Sequence, residues 1–186
     1  MPAKSKRPPR ADFQAKLAKL LTGKFPGLTV EVGHNERWDR TSVTVRWSGF
    51  DDLLPEERFH RIFHAVPEDF YEEHLRGCVW FELGSNESVE SFLELPRSDS
   101  VGDKEPKVVR KLTKAGFFEA LAEELGAEPT AVCGGELSTV RRILSARGFS
   151  KPALHDALLV LMRNGAFCDC EVLFNARLVQ LRTGDP

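Results

Sequence analysis

One segment rich in proline, glycine, serine and charge, residues 95–107, interrupts the apolar pattern of the chain. Because it has no apolar periodicity, it is not expected to continue a helix or a strand, and the sequence predicts a linker over residues 96–107. This linker separates a first module, residues 11–95, from a second module, residues 108–178. With 41% apolar and 9% aromatic residues, the chain has enough apolar side chains to pack a core in each module.

Short tails are predicted outside the two modules. Residues 1–10 carry four basic residues and no acid, and we expect a disordered basic tail there; residues 179–186 form a second tail. The basic tail has no apolar leader segment, and no apolar run is long enough to cross a bilayer, so we expect a cytoplasmic protein without a membrane partner. The formal net charge is −2, which gives no general attraction to nucleic acid.

The first module alternates helical and strand patterns in a recognisable order. Its periodicity and proline positions predict helix, strand, strand, helix, helix and strand, followed by a short helix. The corresponding residues are 12–23, 27–32, 41–47, a helix beginning at Pro55, a helix beginning at Pro67, 78–83 and 87–95. This order favours an α+β fold with a three-stranded sheet and helices on one face.

The second module is predicted to be mainly helical. Thr113 is expected to cap a helix that ends at Gly126, a second helix should end at Gly148, and a third should run from Ser150 to Gly165. The apolar residues 167–174 then predict a terminal strand.

Two cysteines lie within that terminal segment, in the motif Cys168-Asp-Cys170-Glu. Residues two apart in a strand share a face, with Cα atoms about 6.6 Å apart, so the two thiolates can converge on one metal ion. Zinc takes four ligands in structural sites; Cys133 is the natural third, and His155 is the candidate fourth. The alternative is that the thiols fill a gap in the core. Asp169 and Glu171 face the opposite side of the strand and are expected to cap helices or to pair with Arg141 and Arg142 as surface charges.

The same residues carry a family resemblance. Cys133 begins the run Cys-Gly-Gly-Glu-Leu-Ser-Thr-Val-Arg-Arg, which is followed by a helix and then by Gly165-x-x-Cys-Asp-Cys-Glu-Val-Leu-x-Asn175. This pattern resembles the uncharacterised bacterial family named domain of unknown function 2695. The resemblance covers residues 130–176 and implies no assigned activity. The family pattern has a histidine two residues after its first cysteine, and Gly135 occupies that place here.

The first module resembles the BolA group, whose fold is related to type II KH domains. The resemblance rests on the element order, on Phe-Pro-Gly-Leu-Thr-Val-Glu-Val at 25–32, and on Glu-Arg-Phe-His-Arg-Ile-Phe-His at 57–64. It implies a ligand at the start of the last strand, where the BolA group uses a histidine, with a monothiol glutaredoxin, to hold an iron–sulfur cluster. This chain has Cys78 there, which is either a substitute ligand or a buried structural cysteine. A KH domain would need a Gly-x-x-Gly loop, and residues 65–69 contain no glycine.

The patterns that would indicate catalysis or nucleic-acid binding are weaker than those for a metal site. His155 is the only histidine near the second module's thiols, and neither a phosphate-binding loop nor a nucleophile elbow accompanies it. His60 and His64 lie four residues apart on a helix and, like His74, are expected to be solvated or half-buried. The two helices around Gly148 have helix-turn-helix spacing, but the second is mostly apolar where a recognition helix would present polar side chains.

The sequence therefore favours a non-enzymatic binding or assembly protein that acts on a protein partner. One alternative is a regulatory protein in which Cys133, Cys168, Cys170 and His155 hold zinc, or the cysteines hold an iron–sulfur species. A second, less favoured alternative is nucleic-acid binding through the basic tail and the slight positive charge of the second module.

Overall fold

The computed structural model of the protein describes residues 10–176. Of the predicted basic tail over residues 1–10, only Arg10 is described, as the first residue of a helix, and the tail over residues 179–186 lies outside the described residues. The chain divides between Leu95 and Pro96 into two compact units, each treated by itself below. A three-stranded sheet in the N-terminal unit and helices in both confirm the predicted α+β fold.

The N-terminal unit follows the predicted order of elements. Its helices and strands are α1 (Arg10–Thr22), β1 (Thr29–Asn35), β2 (Arg40–Arg46), α2 (Pro55–Ala65), α3 (Glu68–Phe70), β3 (Val79–Leu83) and α4 (Val89–Leu93). Ser48–Phe50 adds a 3-10 turn, and α3 continues into one π-helical turn, Tyr71–Leu75. Pro55 occupies the first turn of α2, where its missing N–H costs no helical hydrogen bond.

The sheet has the order β1-β2-β3. β1 and β2 are antiparallel, whereas β2 and β3 are parallel, with Val43 opposite Trp80. Successive side chains of a strand point to opposite faces. Val43 and Val45 accordingly pack with residues of α1 and α2 in the main core, while Phe81 and Leu83 form a second cluster with Phe92 of α4.

A buried arginine ties α2 to the end of the sheet. The Arg58 side chain is 2% exposed. Its guanidinium donates to the carbonyls of Leu53 and Glu82, at 2.8 Å each, and to the Glu87 carboxylate, with Nη2 2.9 Å from Oε1. The hydrogen bond from Arg58 is the largest influence on Glu87 and holds the pKa of that carboxyl below its usual value. The sequence pattern gave no sign of this pair.

Every regular element in the described part of the C-terminal unit is helical. It comprises a 3-10 segment (Ser98–Lys104), α5 (Glu105–Lys114), α6 (Phe117–Leu125), α7 (Pro129–Val132), α8 (Ser138–Ala146), α9 (Lys151–Arg163), α10 (Asp169–Glu171) and a π-helical turn (Val172–Ala176). Buried residues of α6, α8 and α9 supply much of its core: Phe117, Phe118, Leu121, Val140, Leu144, Leu158 and Leu161. The helices predicted to end at Gly148 and Gly165 are confirmed as α8 and α9.

Two predictions for this unit are wrong. The terminal strand over residues 167–174 is replaced by α10 and the π-helical turn, because a short buried apolar run suits a helical turn as well as a strand. Thr113 does not cap a helix but lies inside α5, a charged helix that buries Val109 and Leu112. Instead, Gly116 precedes α6 with a φ of +60°.

The segment before α5 packs within the C-terminal unit. Within the predicted linker, residues 98–104 form the 3-10 segment, and Val101 is buried. Lys104 Nζ lies 2.8 Å from Asp156 Oδ1 of α9, and Arg163 Nε lies 3.2 Å from Glu105 Oε2.

None of the helices in residues 10–176 combines the length and the apolar character that a membrane crossing requires.

Candidate metal centre

Three thiols of the C-terminal unit meet at one point. The sulfur atoms of Cys133, Cys168 and Cys170 all lie within 4.8 Å of one another. The Sγ atoms of Cys168 and Cys170 are 3.4 Å apart, and all three residues are free cysteines. Cys168 and Cys170 are buried, whereas Cys133 is half-buried. The cluster therefore lies at the edge of the core, with one member in contact with solvent.

The local backbone explains the convergence of the motif cysteines. Cys168 is extended, with φ −140° and ψ 166°, and immediately precedes α10, whose middle residue is Cys170. The two thiols share a side because the chain turns sharply between them, not because they alternate along a strand. Cys133 reaches them from the end of α7, where it adopts an extended conformation. The predicted convergence is present, although the predicted strand is not.

Asp169 fastens the motif to α8. Its side chain is buried, and its carboxylate accepts hydrogen bonds of 3.0 Å from the backbone amides of Thr139 and Val140. These amides belong to the first turn of α8, where N–H groups have no partner within the helix. The amide of Asp169 also donates to the Glu136 carbonyl at 2.8 Å. The prediction that this carboxylate caps a helix is confirmed for Asp169.

Glu171 closes the motif on itself. Its Oε2 accepts a hydrogen bond of 2.8 Å from the backbone amide of Phe167, four residues earlier. Arg142, one of the arginines considered as its partner, instead forms an ion pair with Glu124 at 2.5 Å. A further hydrogen bond, 2.7 Å from Asn175 Nδ2 to the Gly165 carbonyl, links the two ends of the segment. The carboxylates of Asp169 and Glu171 thus both have structural roles.

The three thiols have unequal electrostatic surroundings. Burial raises the pKa of Cys133, but hydrogen bonds from the backbone amides of Cys170 and Gly135, together with the two other thiols, outweigh burial and leave that pKa below its usual value. Burial raises the pKa of Cys168 and of Cys170, and the negative charge of Glu171 adds to both increases. Amide donors aimed at sulfur stabilise a thiolate, so the cluster is prepared for negative charge chiefly at Cys133.

The fourth predicted ligand, His155, lies in α9. His155 is half-buried and is not part of the group formed by the three sulfur atoms. Cys78 belongs to the N-terminal unit, where its thiol donates to the His74 carbonyl at 3.5 Å and burial raises its pKa. In the same unit, the Nε2 atoms of His60 and His64 are 2.8 Å apart. Among the described residues, the group therefore unites three of the four predicted ligands.

Comparison with known proteins agrees with the C-terminal resemblance. Residues 117–175 match the model of a family described as "Protein of unknown function (DUF2695)". The matched region contains all three clustered cysteines and ends at Asn175. No curated protein and no solved structure matches the chain. The resemblance of the first module to the BolA group stays a prediction.

Proposed function

We propose that the C-terminal unit binds one zinc ion through Cys133, Cys168 and Cys170, within a protein whose role is binding or assembly. The observation that carries the proposal is the convergence of three sulfur atoms within 4.8 Å of one another. These thiols come from two separate parts of the sequence, and α7, α8 and α10 bring them together. The metal would therefore connect the end of α7 with the segment that caps α8.

The distances suit thiolate coordination. Zinc–sulfur bonds are about 2.3 Å long, so two thiolates of a tetrahedral zinc site lie about 3.8 Å apart. The observed distances between sulfur atoms run from 3.4 Å, between Cys168 and Cys170, to at most 4.8 Å within the group. Shifts of a few tenths of an ångström up to about 1 Å would bring the sulfur atoms to these positions. Side-chain rotation alone covers changes of that size.

The hydrogen bonds at the cluster favour a metal site over a gap in the core. A small apolar gap-filler needs no donors, whereas metal-bound thiolates are commonly stabilised by hydrogen bonds from their surroundings. Here the amides of Gly135 and Cys170 donate to Cys133, and the amide of Glu171 donates to Cys168. This donor set supports a cluster that carries negative charge when a cation is bound.

The number of ligands favours zinc over an iron–sulfur cluster. Iron–sulfur clusters are generally held by four cysteines, or by cysteine and histidine together. The group has three thiols, and zinc accepts three protein ligands with a fourth position for another donor. Thiol catalysis would require a base within hydrogen-bond reach, and His155 does not belong to the group. The arrangement thus supports metal binding as the role of these cysteines.

Metal content measured on matched variants tests the proposal. The full chain is purified without oxygen, loaded with zinc, passed through a desalting column and measured by elemental analysis and native mass spectrometry. The Cys168→Ser/Cys170→Ser variant removes two ligands, while Cys78→Ser removes the thiol of the other unit. A His60→Ala/His64→Ala background excludes binding by the helical histidine pair.

We expect about one zinc ion per chain in the parent and in Cys78→Ser, and loss of that zinc in the double variant. Far-UV circular dichroism of each sample verifies that the helices are retained. A parent protein that holds no zinc after loading, or a folded double variant that holds as much as the parent, would overturn the proposal.

A further inference from the structure

The proposed zinc site lacks one ligand from this chain, and its surroundings define what can complete it. We infer that its fourth coordination position is open toward solvent and takes a neutral imidazole-type nitrogen from outside the chain. This inference rests on the proposed zinc site. Imidazole could come from a small molecule or from a histidine of another polypeptide, and the experiment below distinguishes the two sources.

The two carboxylates of the cysteine motif are already engaged. Asp169 is buried, and its two oxygens accept hydrogen bonds from Thr139 and Val140 of α8. Glu171 holds the amide of Phe167 at 2.8 Å. Recruiting either one as a zinc ligand would leave helix or loop amides without their acceptor, which is unfavourable for groups away from water. Neither is therefore a good fourth ligand.

The cysteines and histidines of the chain do not supply a fourth ligand either. All four cysteines and all five histidines fall within the described residues. In the C-terminal unit these are the three clustered thiols and His155, which lies in α9 outside the group. Within residues 10–176, the cluster thus offers three ligands where tetrahedral zinc needs four.

One side of the cluster is open. Cys133 is half-buried, and the following residues Gly134 and Gly135 are exposed. A Cβ atom built on either glycine would have no neighbouring atom within 4 Å. Cys168 and Cys170 are only 7% and 9% exposed. A donor from outside would therefore approach beside Cys133, over the two glycines, rather than from the side of the motif.

The charge at the site selects the kind of donor. Three thiolates on a zinc ion carry a net charge of −1, and the carboxylates of Asp169 and Glu171 lie in the same motif. A fourth thiolate would add a second net negative charge to the site and would be repelled by these carboxylates. Imidazole binds zinc well and is neutral, so it completes the site without that additional charge.

Cobalt substitution makes the fourth ligand visible. Full-length protein loaded with Co²⁺ should show sulfur-to-cobalt charge transfer, and its visible d–d bands should report a change of any one ligand. The cobalt protein is titrated in parallel with free imidazole, with the peptide Gly-His-Gly, and with 2-mercaptoethanol. His155→Ala removes the chain's own imidazole, and Gly134→Phe narrows the open side without touching a ligand.

We expect a saturable shift of the d–d bands with both imidazole probes at lower concentration than with the thiol. The same spectra are expected for His155→Ala, and a several-fold weaker response for Gly134→Phe at unchanged cobalt content. Tighter binding of Gly-His-Gly than of free imidazole would indicate a polypeptide source, and the reverse order a small molecule.

The two proposals fail in different ways. Cobalt that is bound with sulfur charge transfer but does not respond to imidazole, or that responds better to the thiol, overturns the open-site inference and leaves the zinc site standing. A changed cobalt spectrum in His155→Ala identifies His155 as the fourth ligand and also overturns it. A protein that shows no sulfur-to-cobalt charge transfer at all overturns the zinc site itself.

Discussion

Asp169 is the residue on which the position of the cysteine motif depends. It lies between the two thiols, yet it contributes to the fold and not to the proposed ligand set, because its carboxylate accepts hydrogen bonds from amides at the start of α8 that have no partner within the helix. Its own amide binds the carbonyl of Glu136, three residues after Cys133. One residue therefore joins both cysteine-bearing segments to the same helix end.

Removing this carboxylate should loosen the C-terminal unit. We expect Asp169→Ala to lower the free energy of unfolding by about 1–3 kcal/mol, because two amides lose a charged acceptor. Asp169→Asn should cost less, since its amide oxygen still accepts one hydrogen bond. Urea unfolding followed by far-UV circular dichroism measures the change. Glu123→Ala, which removes an exposed carboxylate from α6, is the control and should remain within about 0.5 kcal/mol of the parent.

The Arg58–Glu87 pair makes the N-terminal unit sensitive to acid. Since the hydrogen bond from Arg58 lowers the pKa of Glu87 in the folded protein, the stabilisation is present above the usual carboxyl value of 4.5 and is lost as the pH falls through the folded pKa. We expect stability to decline below about pH 4.5. In Glu87→Gln, this part of the decline should disappear, and stability at neutral pH should fall by about 1–3 kcal/mol.

Urea unfolding monitored by tryptophan fluorescence at a series of pH values tests this pair. Glu94→Gln, an exposed glutamate of the same unit, provides the comparison and should keep the pH profile of the parent. If Glu87→Gln retains the full acid dependence, other carboxyls are responsible for it.

Among the elements, those with strong periodicity or clear capping residues were predictable from the sequence. The order of α1, β1, β2, α2, α3 and β3 follows from apolar spacing, and the ends of α8 and α9 follow from Gly148 and Gly165. α5 is not predicted because it begins at Glu105, inside the proline- and charge-rich segment that favours a linker. The apolar pattern of the motif segment predicts a strand, because its capping partner, the first turn of α8, lies about 30 residues away in sequence and leaves no local signal.

The same limitation of local sequence pattern applies to the proposed metal site. Cys133, Cys168 and Cys170 were identifiable as candidate ligands by residue type and spacing, and Cys133 was placed correctly near the motif. His155 was the only remaining soft donor in the unit, so residue type alone selected it. The helix that carries His155 is predictable, but the exclusion of His155 from the group of thiols depends on helix packing, which the local sequence pattern does not encode.

The end of α9 requires a glycine. Gly165 has a φ of +79°, in the left-handed region that other residues adopt at a cost, and its carbonyl accepts the hydrogen bond from Asn175. We expect Gly165→Ala to destabilise the C-terminal unit by about 1–2 kcal/mol. Gly134→Ala is the matched control, because Gly134 is exposed, lies outside that region and has free space around its Cα. Thermal unfolding by circular dichroism should separate the two variants.

At the scale of the whole molecule, the two units carry different spectroscopic reporters. All three tryptophans, Trp38, Trp47 and Trp80, lie in the N-terminal unit, whereas all three clustered cysteines lie in the C-terminal unit. Each unit also buries its own set of apolar side chains. Tryptophan fluorescence therefore follows one unit, and far-UV circular dichroism follows the helices of both.

Zinc should accordingly stabilise the two units unequally. A ligand that binds only the folded state at 100 times its dissociation constant stabilises that state by about 2.7 kcal/mol. We expect added zinc to raise the unfolding midpoint of the helical signal and a chelator to lower it, while the fluorescence midpoint stays unchanged. Cys168→Ser/Cys170→Ser should abolish the zinc effect, and Cys78→Ser should preserve it. A fluorescence midpoint that moves with zinc in the parent but not in the double variant would instead show that the metal's binding energy reaches the N-terminal unit.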